Sequence, residues 1–140
     1  MKYLLLIMTI LQIKTFWNSF KNVFKSNKTM HNEVDGALQR AEAIVGDKDI
    51  MLGLMTIFMV ASGVFLTVYY IIAGIYVGSI IFAILSSIYI INSWRNIGRA
   101  LRYVDNRDVN TITKTLFSRI YSIVYLSYIG YFIYYLVTTW

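Results

Sequence analysis

Cysteine and proline are both missing from this 140-residue chain. Without cysteine there is no disulfide framework and no thiolate to act as nucleophile or metal ligand. Without proline, glycine is left as the helix breaker, whereas transporters often interrupt helices at their midplane sites. Charge is scarce as well. It falls on 14% of residues while 58% are apolar, against roughly 25% charged in soluble domains. A small soluble domain has much surface for its volume, and so little charge would clothe it poorly. Positions 50 to 94 and 120 to 140 hold no Asp, Glu, Lys, Arg or His. Proton relays and ion pathways need such groups, which speaks against a pump, antiporter or voltage sensor working alone. No Ser/His/Asp set, phosphate-binding loop or zinc spacing occurs, so the expectation is a non-enzymatic protein with no cofactor and no metal site. His31, Glu33, Asp35 and Glu42 carry ligand chemistry, but no second His or Cys completes a set.

What is present is long apolar runs. The 45 residues from Ile50 to Trp94 would reach ~67 Å as one helix, about twice the ~30 Å of a hydrocarbon core. Two spans joined by a turn fit that arithmetic. Gly74 near the middle, flanked by Tyr69, Tyr70 and Tyr76, places the turn at 71 to 75, because Gly ends helices and Tyr favours the membrane–water boundary. The hairpin is then 50–72 and 75–94, with Trp94 as an anchor before Arg95. Residues 120–140 make a further span. Residues 3–24 form a hydrophobic N-terminal helix. It reads as a span with an interfacial extension, Lys14 snorkelling near its end. Alternatively it lies in the headgroup layer, with Phe16, Trp17, Phe20 and Phe24 on one face and Lys14, Lys21 and Lys25 on another. Residues 29–48 suggest an amphipathic helix, with Asn32 as a start cap and Gly46 as an end cap. Residues 95–118 are a basic segment in which "VDNRDVN" reads as a turn. The expected fold class is an all-α integral membrane bundle, a single domain over 1–140. It has four transmembrane helices (three if the first is interfacial) around a central hairpin.

Twelve of the thirteen Lys and Arg residues lie in the blocks before and after the hairpin, leaving only Lys2. The positive-inside rule puts both blocks on the cytoplasmic side of a bacterial membrane, or on the matrix side of the mitochondrial inner membrane. Arg95, Arg99 and Arg102 fall at i, i+4 and i+7, a basic stripe suited to anionic headgroups or an acidic partner. The net charge of +6 is explained by orientation and gives no case for nucleic acid. Tyr121, Tyr125, Tyr128 and Tyr135 form a stripe on the last span, with Tyr131 and Phe132 filling the gap. A phenol needs a hydrogen-bond partner away from water, so this face is expected to meet protein. Gly74, Gly78, Ser79, Ala83 and Ser86 offer close approach to another helix. Met51, Met55 and Met59 read as adaptable packing material.

Two functions follow from these features. One is an accessory or regulatory subunit that packs by its helices against a larger membrane complex, with lipids and other subunits as partners. The other is self-association, as in a small phage holin-like pore or a phage immunity or superinfection-exclusion factor. That second comparison rests on size and topology, not on a motif.

Overall fold

A computed structural model describes residues 2–139, the side chain of Val109 excepted. It is all-helical, with no strand among the described residues. The helices are α1 (Lys2–Phe24), α2 (Asn27–Val45), α3 (Lys48–Val77), α4 (Ile80–Asn106) and α5 (Leu116–Thr138), with a short 3-10 turn at Val109–Thr111.

Local chemistry sets most of the helix ends. Ser26 caps α2 by accepting from Thr29 N at 3.2 Å, so Asn32 lies inside the helix rather than at its start. Gly46 closes α2 in the left-handed region (φ 74°), its N–H donating to Glu42 O at 2.8 Å. Asp47 Oδ1 accepts from Asp49 N and Ile50 N at 2.8 and 3.2 Å, which satisfies donors that the start of α3 leaves free. Thr115 does the same for α5 through Ser118 N at 3.3 Å. The hairpin turn is at Gly78 and Ser79, not at 71 to 75. Gly78 carries the positive φ (67°) that the reversal needs, whereas Gly74 is helical, inside α3. The basic segment is largely helical too, since α4 runs on to Asn106 and Arg107 ends it at φ 55°.

Three helices, α3, α4 and α5, are long and apolar enough to cross a membrane. Their outer faces carry exposed branched side chains such as Ile57, Ile71, Ile84, Ile88 and Val124, which suit lipid better than water. This is compatible with an integral membrane location.

The chain divides into two compact units. The first comprises Met1–Phe24, Thr67–Ile90 and Lys114–Trp140. Its core is aromatic: Tyr69, Tyr70, Phe82, Tyr89, Tyr128 and Phe132 are all buried, beside Leu5, Ile129 and Leu136. Within it α1 and α5 run antiparallel and are joined at both ends. Lys2 Nζ donates to Thr139 O at 2.6 Å, and Arg119 Nη1 donates to Val23 O at 3.1 Å. The second unit comprises Lys25–Leu66 and Ile91–Thr113. Leu38, Met51, Tyr103 and Val104 form its core, with Val34, Ala41, Val45 and Met55 packed around them.

Candidate helix-packing and lipid-contact surfaces

In the first unit the tyrosine stripe of α5 faces α4 and the end of α3. Tyr128 stacks on Phe82 with centroids 4.2 Å apart and ring planes 12° apart. Tyr89 of α4 sits among Tyr121, Tyr125 and Tyr128 at 5.5, 5.3 and 4.8 Å. Tyr135 meets Tyr76 edge to face at 6.0 Å. Tyr131 departs from the expected stripe. It is 51% exposed, while its neighbour Phe132 is fully buried and takes the inward place.

Two buried hydroxyl relays hold this aromatic core. Ser86 donates to Phe82 O at 2.9 Å, so the 2.7 Å contact between Ser86 Oγ and Tyr128 Oη has Tyr128 as donor. Thr9 likewise donates to Leu5 O at 2.7 Å and faces Tyr69 Oη at 3.4 Å. In each relay a Ser or Thr turns back to its own helix carbonyl and offers its oxygen to a tyrosine. Gln12 Oε1 and Tyr89 Oη are buried without a hydrogen-bond partner among the described residues.

The small residues serve two tasks. Gly74 is buried against α4, where an added Cβ would lie 3.4 Å from Ser86 Oγ and 3.6 Å from Ala83 Cα. Gly74 and Ser86 also border an outward groove of about 420 Å³, which Gly78, Ser79, Ala83 and Ser87 line further and Tyr70, Ile71, Ile75 and Ile80 wall.

In the second unit, Arg95, Arg99 and Arg102 are exposed on one face of α4. Among the described residues none of the three forms an ion pair. The carboxylates nearby are engaged elsewhere. Arg107 pairs with Glu42 and lies 3.8 Å from Asp35, and Tyr103 donates its hydroxyl to Asp35. Burial pushes the Tyr103 phenol above its usual pKa, and the Asp35 hydrogen bond and charge push it further, against a smaller opposing pull from Arg107. Lys114, ahead of α5 in the first unit, is pulled below its usual range by burial and by the charge of Arg119. Asp35 and Glu42 therefore serve as an Arg107 clamp. No group of three His, Cys, Asp or Glu able to hold a metal occurs among the described residues.

Sequence reading missed Thr9, Tyr69 and Tyr89 as core groups, and Gly63 as a contact point. An added Cβ at Gly63 would lie 2.7 Å from Ile97 Cδ1 and 3.2 Å from Trp94 Cη2. A local signal existed for the clamp: Asp35 and Glu42 are seven apart on α2, and Tyr103 and Arg107 are four apart. No family model, curated protein or solved structure matches the chain.

Proposed function

We propose that this chain is a non-enzymatic membrane protein of four spans that acts as an accessory or regulatory subunit by packing its helices against a larger complex. The outward groove on the α3–α4 hairpin carries the reading. Lipid tails are as apolar as leucine, so helices in a membrane associate through close packing and hydrogen bonds rather than through a hydrophobic gain. Gly78, Ser79, Ala83 and Ser87 give a neighbouring backbone that access within a wall of isoleucines. The fourth span is α1. It has 23 residues, as α5 has, or ~34 Å each, and the two are tied end to end. A helix alongside a span over its whole length shares that span's depth.

The basic blocks, Lys14 within α1 excepted, face the cytoplasm or the matrix in this reading, and Arg95, Arg99 and Arg102 contact anionic headgroups there. Purification from the native membrane in mild detergent tests the assignment. A stoichiometric foreign subunit is expected, and Ala83→Leu with Ser87→Leu should remove it by filling the groove. A homo-oligomer that releases dye from liposomes would instead favour the holin-like reading.

A further inference from the structure

The outward seam of α1 consists of Leu4, Ile7, Leu11, Lys14, Asn18 and Lys21. Leu4, Ile7 and Leu11 are 51%, 58% and 62% exposed, and the three polar residues are exposed as well. Steps of three and four residues are the spacing along which one helix packs onto another. The seam is apolar in its first half and polar in its second.

Sequence alone put Lys14 near the end of a shorter span, where its stem would carry the ammonium to the headgroups. The structure puts it near the middle of α1, because the helix continues to Phe24 and α5 lies beside all of it. Lys14 is nine residues from Val23, or ~13 Å along the axis from the Arg119 contact. Lys14 has no hydrogen bond or ion pair among the described residues. Ionisable groups at membrane depth pair with another group or face a polar interior.

We propose that this seam seats a membrane helix of another subunit, and that this helix carries a carboxylate at the depth of Lys14. The proposal rests on the four-span subunit reading above and names the chemistry of the partner. A second copy of the chain does not fit the role. All seven of its acids lie between positions 33 and 108 and outside 50–94, and α1 and α5 contain none. Lys14 and Asn18 would also fix the register of the pair, as polar residues in a helix seam do.

Dicyclohexylcarbodiimide applied to native membranes tests this, since it activates carboxylates in apolar surroundings. The lysine amine then displaces the urea and forms a zero-length amide. The expected product joins Lys14 to an Asp or Glu within an apolar run of another protein, mapped by mass spectrometry. Lys14→Arg should keep the complex but lose the cross-link. Lys14→Met, which leaves an apolar helix, should reduce co-purification of the subunit tenfold or more. Undiminished co-purification with Lys14→Met overturns the proposal and leaves the subunit reading standing. So does a cross-link from Lys14 to an acid of a second copy, provided the foreign subunit is still retained. Wild-type chain that purifies without any foreign subunit overturns both.

Discussion

Removing either end of the Ser86–Tyr128 hydrogen bond deletes the same contact, yet the two losses are unequal. Tyr128 is 4% exposed and Ser86 3%, so water does not replace a missing partner. In Tyr128→Phe, Ser86 keeps its 2.9 Å bond to Phe82 O, and no buried donor is stranded. The cost is then that of one interhelical hydrogen bond in a membrane protein, on average about 0.6 kcal/mol. In Ser86→Ala the Tyr128 hydroxyl remains, buried against Phe82, with its acceptor gone. A stranded buried donor costs about 1–3 kcal/mol. The double variant Ser86→Ala/Tyr128→Phe removes both polar groups and should recover most of that penalty, falling near Tyr128→Phe alone. Reversible unfolding in mixed micelles, followed by circular dichroism, gives the three free energies. The order expected is Ser86→Ala least stable, with the other two close together. Equal losses for both single variants, or a double variant at the sum of the two, would refute the relay and its direction.

Other outcomes follow from single contacts. Gly63→Leu should lower stability by about 1–3 kcal/mol through overpacking against Trp94 and Ile97, while Gly53→Ala, with nothing within 4 Å of the new methyl, should cost nothing in the same assay. The Tyr103 phenol has its folded pKa raised above the usual value of about 10. Its contribution is therefore complete below that value and is lost as pH rises through the folded one. Tyr103→Phe should flatten the alkaline fall in melting temperature. Replacing Arg95, Arg99 and Arg102 together with Gln should weaken retention of anionic lipid by native mass spectrometry. Replacement with Lys should preserve most of it, at about 1 kcal/mol per charge.

The parts of this fold that composition decides are legible in the sequence. A 45-residue run without charge is too long for one crossing, so a pair of apolar helices follows from length alone. The turn position does not, because Gly74 and Gly78 are equivalent by residue type. In the fold Gly74 is helical, with Ser86 and Ala83 of α4 beside it, and Gly78 takes the reversal. The tyrosine period at 121, 125 and 128 is visible in the letters. Which of Tyr131 and Phe132 turns inward depends on α3 and α4, where Phe132 packs on Tyr69 and Phe82, each at 5.8 Å. The place of Lys14 near the middle of a helix paired along its length with α5 is hidden for the same reason. The paired helix, α5, begins more than a hundred residues later. The partners of Asp35 and Glu42 are not legible either, because Tyr103 and Arg107 are distant in sequence.

Arg107 ends α4 in a backbone region that glycine enters freely and an L side chain enters at a cost of roughly 1–2 kcal/mol. Its guanidinium gives that conformation a reason to persist, by holding Glu42 and Asp35 on α2. Positions 35, 42 and 107 are thereby bound into one unit of variation. In a natural variant lacking both acids, arginine at 107 keeps only the backbone penalty, and glycine or asparagine becomes the better residue there.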